Sequence, residues 1–102
     1  MVFSIYYGEI SESRKENWDN GEENPYDILV SNKKVSGYDW MSFLTIARKC
    51  LKDEIQIDWG SFAWKGNKAD ILKLKTEWRA ELEDETFLKE DVEYGVVFIE
   101  ES

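Results

Sequence analysis

The sequence of 102 residues predicts an α+β fold, a two-layer sandwich with two helices on one face of a mostly antiparallel sheet of four to five strands. Three observations predict it. Strand-forming segments are interleaved with two amphipathic helical patterns, in the order β-β-α-β-(β)-α-β. Each helical pattern carries an apolar stripe that must be covered, and a sheet is the only other layer the chain supplies. The length suits one globular domain, residues 1–102, which buries about two-thirds of the surface its unfolded chain exposes. Apolar residues at 42% and charged residues at 34% separate the chain from disordered compositions.

Residues 2–10, Val-Phe-Ser-Ile-Tyr-Tyr-Gly-Glu-Ile, are rich in strand formers, with Phe3, Ile5 and Tyr7 sharing one face. Residues 11–25 are polar and contain Asn20-Gly21 and Asn24-Pro25, so they read as a loop. Tyr26 to Val30 reads as a second strand, with Lys33 and Lys34 in a polar stretch behind it. Ser36 is placed to cap the first helix, with Asp39 in its first turn. Trp40, Phe43, Leu44, Ala47 and Leu51 then follow helical spacing, and Met41, Ile46 and Cys50 widen the apolar face. Arg48, Lys49 and Lys52 suit the negative end of that helix.

Residues 54–59 alternate, with Ile55, Ile57 and Trp59 on one face and Gln56 and Asp58 on the other, the pattern of a half-buried strand. Gly60-Ser61 turns the chain, and Phe62-Ala63-Trp64 reads as a short return strand. Asn67 caps the second helix, with Asp70 three residues on. Its stripe is Ile71, Leu74, Trp78 and Leu82, and Lys68, Lys73, Glu77, Arg79 and Glu83 lie opposite. Phe87 and Leu88 are the anchors of the acidic stretch that follows. Tyr94 to Ile99 is the last strand, and its run Val96-Val97-Phe98-Ile99 is apolar on both faces, which predicts an interior place in the sheet. From the second strand onward this order resembles the βαββαβ ferredoxin-like arrangement, an analogy of element order that specifies no function.

Twenty-two Asp and Glu against 13 Lys and Arg, with no histidine, give a formal net charge of −9. Such a surface repels phosphate backbones, which argues against direct nucleic-acid binding. No apolar run is long enough to cross a bilayer. The first residues, Met1-Val2-Phe3-Ser4-Ile5, lack the character of a signal peptide. With Cys50 the only cysteine, the expected compartment is the reducing cytoplasm. Without histidine the usual Ser-His-Asp and Cys-His nucleophiles, ordinary zinc sites and a histidine pH switch are all excluded. Cys50 itself reads as a small buried hydrophobe. No glycine-rich phosphate loop occurs, and no cofactor is expected.

The acidity is concentrated in two segments. Residues 9–27 hold seven acids and two bases, and residues 77–93 hold eight acids and two bases. Three readings compete: a solvated surface that keeps the chain soluble, a docking surface for a basic protein, and a cation site or carboxylate pair. Asp19-Asn20-Gly21-Glu22-Glu23 places oxygen ligands around a glycine without the alternating spacing of an EF-hand loop. Trp40, Trp59 and Trp78 fit buried positions, Trp64 is placed to line a groove, and Trp18 in its polar loop is expected to be an exposed anchor. The expected function is a small acidic, non-catalytic protein-binding domain, in its most concrete form an inhibitor or immunity-type protein for a basic, nucleic-acid-processing partner. Its expected partner-binding residues are Trp18, Asp19, Glu22, Glu23, Glu83, Asp84 and Glu85, with no catalytic or metal-ligating set. The alternatives are a non-catalytic adaptor or subunit domain of a bacterial or phage assembly, and a carboxylate-based enzyme or cation-binding module.

Overall fold

A computed structural model describes residues 2–35, 40–78 and 88–101. Its strands are β1 (Val2–Ile10), β2 (Leu29–Val35), β3 (Lys52–Asp58), β4 (Ser61–Gly66) and β5 (Tyr94–Glu101). They form one antiparallel sheet in the order β2-β1-β5-β4-β3. β5 lies at the centre, as its two apolar faces require: Tyr94, Val96 and Phe98 enter one core and Val97 the other. The predicted three-residue return strand is β4, six residues long and paired on both sides. Ser61 and Lys65 hid its length, because both are polar yet buried. The ferredoxin-like analogy ends at element order. The strands joined through the first long helix, β2 and β3, stand at opposite edges of the sheet, whereas a split βαβ unit keeps them close.

The helices α3 (Trp40–Cys50) and α4 (Lys68–Trp78) pack side by side on one face. Phe43, Leu44, Ala47 and Leu51 from the first meet Ile71 and Leu74 from the second over Ile5, Tyr7, Trp64, Val96 and Phe98. Phe43 is the hub, with ring centroids 5.0 Å from Trp78, 5.7 Å from Phe98 and 5.8 Å from Trp64. α4 starts on a reciprocal cap: Asp70 N donates to Asn67 Oδ1 at 2.9 Å, and Asn67 N donates to Asp70 Oδ2 at 3.0 Å. Cys50 is buried, and Leu88 closes the core beneath the helices. Ser36, Asp39, Arg79, Leu82 and Phe87, and the side chains of Phe3, Trp40 and Met41, lie outside the described residues.

The opposite face of the sheet is not bare. The segment predicted as a loop folds over it as a 3-10 turn (Glu12–Arg14) and two short helices, α1 (Lys15–Asn20) and α2 (Pro25–Ile28). The two turn signals are helix punctuation here. Gly21, at φ +71°, is the left-handed C-cap of α1, and Asn24 caps α2, accepting from Tyr26 N at 2.9 Å with Pro25 in its first turn. Tyr26 is therefore helical, and the second strand is shifted to Leu29–Val35, taking in Lys33 and Lys34. The Tyr26 ring meets Tyr6 of β1 edge-on at 4.6 Å. Beneath this cap lies a second core of Ile10, Trp18, Ile28, Leu29, Ala63 and Val97.

Candidate functional site

Trp18 is fully buried, which overturns its expected role as an exposed anchor. Its six-membered ring fits over Gly95 of β5, where an added Cβ would collide with Trp18 and stand 2.8 Å from Leu29 Cδ2. A glycine inside an otherwise apolar central strand was the one sequence signal for this close approach. The indole N–H of Trp18 meets no acceptor among the described residues.

Charged side chains tie the cap down around Trp18. Lys65 of β4 is almost completely buried; its ammonium donates to Asp19 Oδ1 and stands 3.4 Å from Glu93 Oε1. Lys15 Nζ lies 3.6 Å from the other oxygen of Glu93. Burial alone would lower the pKa of Lys65, but its hydrogen bond to Asp19 and the charges of Glu93 and Asp19 outweigh it and raise the pKa. Across the cap Arg14 donates to both oxygens of Glu23 and, at 2.9 Å, to the carbonyl of Asp27, while Asn17 Nδ2 also donates to Glu23. The hydrogen bond from Arg14, joined by that from Asn17, holds the Glu23 carboxyl below the usual range. Asp19 and Glu23 are thus each paired with a base of this chain. Glu22 is exposed and forms no ion pair among the described residues. Glu83, Asp84 and Glu85 lie outside the described residues.

Between the cap and the sheet edge runs an open cleft of about 300 Å³. One wall is Gly21 to Pro25, with Glu22 and Glu23; the other is Ile55, Gln56 and Ile57 of β3, and Trp18 also lines it. Three successive strand residues line it, so the cleft reaches the main chain of β3 as well as one face of its side chains. Its surface therefore joins half-buried isoleucines to carboxylates and strand backbone. Two residues past Ile57, in the turn that follows the strand, stands Trp59. It was expected on the buried face but is 89% exposed, because the strand ends at Asp58 and Trp59-Gly60 forms the hairpin turn, with Gly60 at φ +83°. Asp58 Oδ1 accepts the Trp59 N–H at 2.7 Å. Trp64, predicted to line a groove, is instead buried, its indole donating to Glu54 Oε1 at 2.9 Å.

Among the described residues no helix is long and apolar enough to cross a membrane, and no group of three or more Cys, Asp or Glu is disposed to hold a metal ion. Comparison of the chain with known proteins finds no matching family model, no matching curated protein and no matching solved structure.

Proposed function

We propose that the chain is an acidic protein-binding domain that docks a basic protein through the cleft beside β3 and the neighbouring Trp59. The observation that carries the reading is the juxtaposition of a nearly fully exposed tryptophan with a cleft of carboxylates and half-buried isoleucines. Aromatic residues beside such a cleft are of the kind that anchors interfaces. Carboxylates at the rim select a basic partner and speed its approach. The most concrete biological form is an inhibitor or immunity-type protein that blocks the basic groove of a nucleic-acid enzyme, with no catalysis of its own.

The test is capture of partners from host lysate at low and high salt, followed by kinetics with the captured protein. Raising ionic strength should slow association more than it speeds dissociation, because exposed charges act within a Debye length of about 10 Å at 0.1 M salt. Glu22→Lys should mainly slow association. Trp59→Ala should mainly speed dissociation, by about 30-fold for an anchor worth about 2 kcal/mol. A captured partner that binds both variants like wild type, at either salt, removes the docking reading and leaves the acidity as solvation.

A further inference from the structure

The sheet has two edges, and they carry opposite charge. Among the described residues β2 pairs with β1 alone and β3 with β4 alone. β2 contains Lys33 and Lys34, whereas β3 contains Asp53, Glu54 and Asp58 against the single base Lys52. An unpaired strand edge offers a row of main-chain donors and acceptors to any extended segment that reaches it. At β3 that row is short. Asp53 takes a left-handed conformation at φ +55°, and the ladder to β4 shifts register on both sides of Ile55-Gln56. The regular stretch, Ile55-Gln56, is two of the three β3 residues that line the cleft, and Ile57 lies in the second shift.

We infer that the partner binds as an extended basic segment laid along the free edge of β3, adding a sixth strand to the sheet; the inference rests on the protein-binding reading above and supplies its mode. Main-chain hydrogen bonds to residues 54–57 hold the segment. Its apolar side chains, at every second position, cover Ile55 and Ile57 in the cleft. Its basic side chains, at the intervening positions, meet the strand's own carboxylates Asp53 and Asp58. Glu54 is not part of this recognition, because Arg48 Nε at 2.7 Å and the Trp64 indole already occupy it. A second copy docking by the same edge is disfavoured, since two acidic β3 strands would lie side by side.

The test uses the whole chain and a capped octapeptide of alternating Lys and Val, unmodified or N-methylated at all Lys or at all Val. N-methylation removes the donors on one edge of the peptide and leaves the protein untouched. The expected result has three parts: the unmodified peptide binds more tightly at low salt, it slows hydrogen exchange of the β3 amides, and one N-methylated peptide loses at least tenfold in affinity while the other does not. If all three peptides bind alike, strand addition is overturned while an acidic docking surface stands. If no peptide binds although a captured partner still depends on Glu22 and Trp59, strand addition is again overturned and the docking reading survives. Protection of β3 amides that rises with protein concentration in the absence of peptide identifies a second copy, pairing through its β2, as the occupant and overturns the inference.

Discussion

The two faces of the sheet are closed by different means. On one face α3 and α4, eleven residues each, distribute burial over repeated positions, so that Phe43, Leu44, Ala47, Ile71 and Leu74 share the core between them. On the other, two short helices of six and four residues cover the sheet, and one side chain, Trp18, fills the space a longer helix would take. Distributed burial leaves a period in the sequence. Burial by one large residue leaves none, so the same amount of order is visible in one layer and hidden in the other. Stability should be divided in the same manner, with many moderate contributors on the helix face and one dominant contributor on the cap face.

Trp18→Ala therefore carries the largest expected effect, a loss of about 3–5 kcal/mol, because the cavity opens under a cap too small to collapse into it. Leu44→Ala and Leu74→Ala, on the helix face, should each cost about 2–5 kcal/mol. Urea unfolding followed by far-UV circular dichroism and by tryptophan emission tests both. If Trp18→Ala keeps the wild-type midpoint, the cap is not anchored by this residue and the contrast between the faces collapses. If it separates the two signals into two transitions, the faces are independent units.

Legibility followed the same division. The strand formers of β1 and the double-faced apolar run of β5 were readable because β-branched and aromatic residues mark them directly. The second helix was readable down to its Asn67–Asp70 cap. The 11–28 segment was not, because its helices are too short to show a period and its Asn and Gly residues serve helix ends as well as they serve turns. The candidate site suffered most. Trp18 stood among polar neighbours and looked exposed, while Trp59 continued the Ile55–Ile57 alternation and looked buried, yet each is the reverse. Alternation predicts a face only while the strand continues, and the hairpin turn begins at Trp59. Of the acids expected to dock, Asp19 and Glu23 found internal bases, Lys65 and Arg14, that lie far from them in the sequence or across a turn.

Gly95→Ala sharpens the contrast at lower cost. The added methyl would strike the Trp18 ring and Leu29 on the cap face. Overpacking of this kind should cost about 1–3 kcal/mol. In the Trp18→Ala background the penalty should shrink, since the space is then vacant, and a double-mutant cycle measures the coupling. Simple additivity would mean that the indole does not press on this glycine.

Acidity should loosen the fold with a defined sign. Glu23 and Glu54 both sit below their ordinary value, Glu23 through its hydrogen bond from Arg14 and Glu54 through that from Arg48. Their contributions are present above about pH 4.5 and are lost as pH falls further. At the alkaline end, Cys50 is raised by burial and Lys65 by Asp19 and Glu93 against the opposing effect of burial. Stability should therefore fall as pH rises past about 9, where the unfolded thiol ionises first, and again past about 10.5, where Lys65 is deprotonated in the unfolded chain while the folded one keeps its proton. Thermal midpoints across pH test this. Glu23→Gln should flatten part of the acid limb and leave the alkaline limb unchanged, and an acid limb identical to wild type would show that the Arg14–Glu23 contact contributes nothing to holding the cap.

The smallest expected effect on stability belongs to the other displaced tryptophan. Trp59 is 89% exposed, and its backbone N–H, bonded to Asp58, remains in any substitution. Trp59→Ala removes a side chain that shields almost no neighbour, so the urea midpoint should move by an amount equivalent to no more than about 0.5 kcal/mol. Tryptophan emission should change in a matching way: loss of a water-exposed indole removes red-shifted intensity, whereas Trp18→Ala removes the emission of a fully buried ring. A large destabilisation by Trp59→Ala would place its side chain against the fold and remove the exposed anchor on which the docking reading depends. With no destabilisation, every change in partner binding by this variant is attributable to the interface.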